Sequence, residues 1–234
     1  MPIYFDWTYL IVLPALLLSL LASARVNSVF KKYSKTTTAS GMTGAEAARM
    51  VLIANGLTHI SVQPIGGNLT DHYDPAGNVI CLSESVYASR STAAVGVACH
   101  EAGHAVQHAE HYAPASLRQA IVPLTNIGSK LGIWLFIAGL FLAYLSEQLL
   151  AVAYIGVLLF SLTAVFQLVT LPTEFDASHR ALKALAASGK FTEDEQKQAK
   201  KVLSAAAMTY VAALVTALLQ VLRLLVILGG RRRK

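Results

Sequence analysis

The residues of this sequence best suited to chemistry form one five-residue motif, His100-Glu101-Ala102-Gly103-His104. On a helix of 3.6 residues per turn, two side chains four positions apart are separated by only about 40° around the axis. His100 and His104 can therefore bind one zinc ion together, and Glu101, turned about 100° from His100, lies near that metal. The motif predicts a single catalytic Zn²⁺ with two histidine ligands and Glu101 as the general base for the attacking water.

A catalytic zinc ion usually takes three protein ligands, so a third must come from elsewhere in the chain. A metzincin would need glycine and histidine where this sequence has Gln107 and Glu110. His108 lies on the same helix and His111 is one position too late, so both are interpreted as surface or packing histidines. Glu174 is the best remaining candidate, because His₂Glu is a known catalytic ligand set.

Glu174 belongs to a short segment that begins at Pro172, a residue that suits the first turn of a helix after a membrane exit. Asp176 is a candidate partner that would orient a ligating histidine. The alternative is that Glu174 and Asp176 only favour a helix N-terminus electrostatically.

The zinc motif is predicted to lie on the second helix of a compact α+β unit over residues 25–126. Thr43 and Glu46 have the spacing of a capping box for the first helix, and Gly56 suits its end. Residues 59–65 alternate as in a strand, and residues 91–110 have a helical pattern.

A hairpin is predicted where residues 69–73 and 79–83 flank a strong turn signal at residues 74–78. The second of these strands is expected at an exposed edge, where a substrate peptide would pair with it by β-augmentation. Its residues are Val79, Ile80, Cys81, Leu82 and Ser83.

The composition points to a lipid environment. The chain is 55% hydrophobic and only 14% charged, with a mean hydropathy of +0.53, whereas soluble domains have about 25% charged residues. Four apolar stretches approach or exceed the roughly 20 residues that cross a bilayer; they cover about residues 7–24, 127–145, 149–171 and 202–222 or 228. The first is interpreted as an uncleaved anchor, because Asp6 and the lack of a preceding Lys or Arg do not suit a signal peptide.

The short gap at residues 146–148 forces a helical hairpin, so residues 25–126 and 172–201 are expected on one face of the membrane. With Lys130, these regions hold 14 of the 19 basic residues, which predicts a cytoplasmic face and an N-terminus outside. The basic run at residues 231–234 would lie outside if the last segment spans. That segment could instead be re-entrant, lie along the surface, or simply be an exception to the positive-inside rule. The predicted parts are an anchor (1–24), the α+β domain (25–126), a transmembrane hairpin (127–171), a ligand helix with a charged connector (172–201) and a C-terminal transmembrane or membrane-associated helix with a basic tail (202–234).

The sequence resembles the YugP-type neutral zinc metallopeptidases of bacterial membranes. The motifs that carry the resemblance are residues 70–75, 82–84, 100–107 and 172–178. It implies a zincin-like α+β domain joined to three or four membrane helices, gluzincin-type chemistry, His100, His104 and Glu174 as zinc ligands, and Glu101 as base. Related gluzincins have an aspartate four residues after the third ligand; here Ser178 stands there, so Ser178 or Asp176 is the candidate at that place.

The expected function is that of a membrane-embedded zinc metalloendopeptidase acting on membrane-associated or unfolded proteins at the cytoplasmic surface of a bacterial membrane. The alternative is a zinc-stabilised membrane scaffold or adaptor without turnover, against which the presence of Glu101 argues. The expected partners are the lipid bilayer and protein or peptide substrates. The sequence is also compatible with a homo-oligomer or a regulatory membrane partner. Nucleic acid is not expected, since the basic residues are scattered without interleaved aromatics. Candidate oxyanion donors are His72, Tyr73, Tyr112 and His179, and the two cysteines, Cys81 and Cys99, are expected to be free thiols.

Overall fold

The computed structural model describes residues 6–231, and its contacts divide the chain into two compact units. The motif unit comprises Ala22–Ser116 and Leu171–Met208, and the helical unit comprises the other described residues. The helices are α1 (Tyr9–Tyr33), α2 (Gly44–Ala54), α3 (Glu84–Tyr87), α4 (Thr92–Ala109), α5 (Ala113–Leu142), α6 (Leu150–Phe160), α7 (Leu162–Ala187) and α8 (Glu193–Arg231). The strands are β1 (Ser61–Ile65), β2 (His72–Asp74) and β3 (Val79–Ser83).

The two helices of the α+β unit begin at side-chain caps. Thr43 Oγ1 accepts a hydrogen bond from the Glu46 backbone N–H at 3.2 Å, and Glu46 Oε2 accepts one from the Thr43 N–H at 2.7 Å. The predicted capping box is thereby confirmed. Ser91 Oγ accepts from the Ala94 N–H at 3.2 Å and starts α4. These caps satisfy amides that have no partner within their own helix.

The three strands form one sheet in the order β1-β3-β2. The predicted hairpin is confirmed, because β2 and β3 pair antiparallel, but the prediction that Val79–Ser83 forms an exposed edge is wrong. Its residues Val79, Ile80, Cys81, Leu82 and Ser83 also pair in parallel with β1, so β3 is the central strand. The turn signal in the sequence identifies only the hairpin partner of β3, which is β2. The parallel pairing with β1 requires a crossover connection, which no local turn signal indicates. The sheet edges are β1 and β2.

One core joins the sheet to the helices of the motif unit. Ile80 and Leu82 of β3 are fully buried in one hydrophobic cluster with Val51 and Leu52 of α2 and Ala98 of α4. Since interiors are close-packed, this core holds α4 in a defined position against the sheet. The helix that carries the zinc motif is thus supported along its apolar side.

The two cysteines are free thiols, as predicted, and they differ in access. Cys99 is fully buried in α4, and this burial raises the pKa of its thiol to about 12, whereas Cys81 is partly exposed. At pH 8 such a thiol is ionised in only about one molecule in ten thousand. We expect maleimide to label Cys81 alone in the folded protein and both cysteines after denaturation, as measured by mass spectrometry. Native labelling of Cys99 at the rate of Cys81 would contradict this packing.

Four helical stretches are long and apolar enough to cross a membrane: Tyr9–Tyr33, Ala113–Leu142, Glu147–Ala187 and Glu193–Gly230. Each overlaps one of the four predicted apolar segments, and the first two of those segments extend two or three residues beyond their helix. The prediction that Pro172 opens a new helix is wrong, because it lies inside α7. Proline is tolerated within such helices where neighbouring groups satisfy the freed carbonyl. As a result, α7 carries both the last part of the third predicted apolar segment and Glu174.

Within the helical unit, the start of α1 lies beside the end of α8. Arg223 donates hydrogen bonds to Asp6 Oδ2 at 2.9 Å and to Thr8 Oγ1 at 3.0 Å, and its guanidinium stacks 3.7 Å from the ring centre of Tyr9. Arg223 is only 9% exposed, and a charged side chain is costly inside a membrane. Its hydrogen bonds and its stacking on Tyr9 take the place of the water that would otherwise solvate the guanidinium. Farther along the same two helices, the side-chain oxygens of Ser19 and Thr216 lie 3.3 Å apart, so α1 and α8 run antiparallel within this unit.

Candidate metal centre

α4 presents the two motif histidines side by side. The rings of His100 and His104 lie 4.7 Å apart, centre to centre, in an edge-to-face arrangement. Glu101 follows His100 on the same helix and is only 8% exposed. The i, i+4 spacing thus places the imidazoles together, as the helical pattern predicts.

α7 brings Glu174 to these histidines. Its Oε2 lies 3.2 Å from His100 Nε2 and 3.5 Å from His104 Nε2, and the side chain is almost fully buried. One ligand atom from each of the three residues lies within 4.8 Å of the other two. In a tetrahedral zinc site with bonds of about 2.0–2.1 Å, ligand atoms are about 3.3–3.4 Å apart. The donor types and their spacing therefore fit zinc.

The charges around these three candidate ligands favour a cation. Burial lowers the pKa of His104, but the hydrogen bond that Glu174 accepts from this imidazole and the negative charges of Glu101 and Glu174 outweigh it, so that pKa is raised. The carboxylate of Glu101 is thus close enough to interact electrostatically with His104. Two carboxylates beside two imidazoles form a site that a divalent cation would neutralise.

The Nδ1 atom of each histidine, which is the ring nitrogen not facing Glu174, has its own hydrogen-bond partner. Ser178 Oγ lies 3.1 Å from His100 Nδ1, and Gln107 Oε1 lies 3.0 Å from His104 Nδ1. Asp176 instead accepts a hydrogen bond from Gln107 Nε2 at 2.8 Å. Ser178 therefore reaches a histidine directly, whereas Asp176 acts on one through Gln107.

The sequence pattern assigned Gln107 no role at the metal centre, although this residue excludes a metzincin pattern and closes the motif of residues 100–107. Its place three residues after His104, on the same helical face, was the signal that could have identified it.

A glycine allows α4 and α7 to approach closely. A Cβ atom on Gly103 would lie 2.6 Å from the backbone oxygen of Ala177 and 3.3 Å from its Cα. Real Cβ atoms do not come so close to backbone, so only glycine fits at this position without a shift of α7. Ala177 lies one helical turn beyond Glu174. The contact therefore sets how near that carboxylate comes to the histidines.

Among the oxyanion-donor candidates, Tyr73 has the most distinctive surroundings. Its hydroxyl is buried and has no hydrogen-bond partner among residues 6–231. Its ring lies 6.0 Å from the ring of His108, an exposed histidine one turn beyond His104. Burial, followed by the charge of Asp74, raises the pKa of Tyr73. The phenol therefore stays protonated at neutral pH and can donate a hydrogen bond.

The other three candidates lie in different surroundings. His72 is exposed, with Nδ1 2.8 Å from the carbonyl oxygen of Thr70. The ring of Tyr112 is covered by the guanidinium of Arg180 at 5.7 Å. His179 lines a cavity of about 560 Å³ between α2, α4 and α7. The three predicted ligands are not among the residues that line this cavity.

Comparison with known proteins agrees with this geometry. The model of a family described as "Putative neutral zinc metallopeptidase" matches residues 8–229. A protein of Bacillus subtilis (strain 168) named "Putative membrane protease YugP" is 47% identical over 218 residues, which cover 93% of this chain and 95% of that protein. No solved structure matches the chain. Because the family model spans nearly the whole chain and its zinc chemistry fits the residues gathered on α4 and α7, the chain belongs to this neutral zinc metallopeptidase family.

Proposed function

We propose that this chain is an integral-membrane zinc metalloendopeptidase. His100, His104 and Glu174 would hold one zinc ion, and Glu101 would be the catalytic base. The observation that carries the proposal is the convergence of these three donors from two helices within 4.8 Å, with Glu101 beside them. A purely structural zinc site, as in a scaffold or adaptor, has no use for a buried glutamate next to its first histidine.

The reaction requires a proton carrier as well as a metal. Zinc, when bound, polarises the scissile carbonyl and lowers the pKa of water towards about 7. Glu101 takes the proton from the attacking water and returns it to the amine nitrogen as the peptide C–N bond breaks. The products are a carboxylate and an amine.

Since β3 is central in the sheet, we place the substrate at a different strand. β2 is paired on one side only within the described sheet and lies against α4. An extended peptide added beside β2 would run past the helix that carries the zinc motif. Tyr73 on this strand has a buried hydroxyl without a hydrogen-bond partner in the described part of the chain. We therefore favour Tyr73 over His72, Tyr112 and His179 as the donor to the oxyanion.

The substrate class follows from the position of the ligands along the chain. Glu174 lies three residues after Leu171, where the predicted apolar segment of α7 ends. The basic residues beside the membrane segments support a cytoplasmic active-site face in a bacterial cytoplasmic membrane. Membrane-associated or unfolded proteins that reach this surface are the proposed substrates.

Metal removal provides the first test of this function. We expect the purified full-length protein in detergent to contain one zinc ion per chain and to cleave an unfolded protein such as casein. A chelator should stop cleavage, added zinc should restore it, and Glu174→Ala should lower zinc occupancy. Zinc content is measured by mass spectrometry of the metal and cleavage by gel or fluorescence. Absence of stoichiometric zinc in the wild-type protein would overturn the proposal.

A further inference from the structure

Gln107 connects the candidate metal centre to charged groups outside it. Its side chain is fully buried in α4. Its Nε2 donates to the carbonyl oxygen of Thr173 and to Asp176 Oδ2, each at 2.8 Å, while its Oε1 lies 3.0 Å from His104 Nδ1. Arg180 Nε donates to the same Asp176 oxygen at 2.6 Å. These groups form a continuous hydrogen-bonded chain that ends at His104.

The chemistry of these groups determines the direction of each hydrogen bond. A backbone carbonyl and a carboxylate only accept, so the Gln107 amide nitrogen must face Thr173 and Asp176. The amide oxygen, which also only accepts, is left to His104, whose Nδ1 must carry the hydrogen. A neutral imidazole of this form has its lone pair on Nε2. That is the atom 3.5 Å from Glu174.

The other histidine is not constrained in this way. His100 Nδ1 faces the hydroxyl of Ser178, which can either donate or accept. The Ser178 contact is therefore compatible with both tautomers of His100. Only His104 has its metal-binding tautomer imposed by its neighbour.

The outer end of the chain is also held in place. Arg180 donates a second hydrogen bond through its NH1 nitrogen to Glu110 Oε2, at 2.6 Å. An Arg side chain that bridges two carboxylates keeps both in defined positions. Asp176 is thereby held where it accepts from Gln107, and this contact prevents the amide from flipping.

We propose that Gln107 is a positioning residue that holds His104 in the tautomer and orientation for zinc binding, and that Asp176, held by Arg180, keeps the Gln107 amide correctly turned. The inference rests on the proposed zinc function. Outer partners of ligating histidines fix the ring and raise its basicity, and their loss costs about 10–100-fold in metal affinity or activity. The same range is the expected effect here.

Zinc affinity of the full-length protein, measured by competition with a chelator, tests this role. Gln107→Met keeps the length but removes the polar groups, and Gln107→Glu keeps the shape but cannot donate to Thr173 and Asp176. Both should weaken zinc binding by about 10–100-fold. Ser178→Ala, the matched change at His100, should weaken it less than Gln107→Met does. If Gln107 only fills space, Gln107→Met will retain wild-type affinity, and that result would overturn the inference.

A second pair of variants acts at Asp176, which is less buried than Gln107. Asp176→Asn keeps an oxygen that accepts from Gln107 and Arg180, so its zinc affinity should stay near that of the wild type. Asp176→Leu removes the acceptor and should lose affinity as Gln107→Met does. If both variants keep wild-type zinc affinity, the acceptor oxygen of Asp176 is not used. This pair decides the question if the Gln107 variants unfold, which the melting temperature of the zinc-free protein reports.

The outcomes separate this inference from the proposed function. If the wild-type protein binds no zinc, both fail together. If it binds zinc and cleaves protein while Gln107→Met and Asp176→Leu keep wild-type zinc affinity, the metalloendopeptidase proposal stands and the role of Gln107 is wrong.

Discussion

Glu101→Gln is expected to reduce cleavage of an unfolded protein by about 10²–10⁴-fold, the usual contribution of a general base. Glutamine has the same shape but cannot take the proton of the attacking water. Because Glu101 is not one of the three ligand residues, the variant should retain wild-type zinc content. The measurements are kcat/KM on a fluorescent unfolded substrate and metal analysis of the same sample.

A surface change provides the control for Glu101→Gln. Glu193 begins α8, its side chain is 89% exposed, and it contacts Lys197 at 3.5 Å. Glu193→Gln removes the same charge away from the centre and should leave cleavage unchanged. Equal activity of Glu101→Gln and wild type would remove the assigned base. A wild-type protein that holds zinc but cleaves nothing, even in its native membrane, would support a scaffold without turnover.

The meeting of the three candidate ligands could be predicted from the sequence because it depends on simple relations along the chain. His100 and His104 meet through the periodicity of one helix, which any helical environment preserves. The placement of Glu174 near the histidines required one topological argument. The short turn between two apolar segments returns the chain to the membrane face from which it started. Neither step requires knowledge of which atoms of two helices touch.

The surroundings of the ligands could not be predicted in this way. The role of Gln107 depends on which carbonyl of α7 faces it, and that of Gly103 depends on the Ala177 backbone. Both are contacts between helices, set by rotation and distance rather than by local pattern. The prediction that β3 forms an edge strand was wrong for a related reason. Its parallel partner β1 is not connected to it through the turn that identifies the hairpin.

Gly103→Ala should disable the metal centre without touching a ligand. The new Cβ would lie 2.6 Å from the Ala177 oxygen, so α7 must move away by several tenths of an ångström. Glu174 lies on that helix, and metal sites tolerate errors of only about 0.2 Å in ligand distance. We expect zinc affinity to fall at least about tenfold, as for loss of an outer partner, and cleavage about 100-fold. Overpacking should also lower the free energy of unfolding by about 1–3 kcal/mol.

Gly96, two turns earlier on α4, offers the matched control. A Cβ there would meet the Ala199 Cβ of α8 at 3.3 Å, a tight contact with a side chain rather than with backbone of α7. Gly96→Ala should therefore keep zinc affinity and cleavage close to wild type, although both substitutions place a methyl group at a helix contact. If the two variants lose zinc equally, the loss comes from general repacking of α4. A selective effect at position 103 would show that the distance between α4 and α7 controls the site.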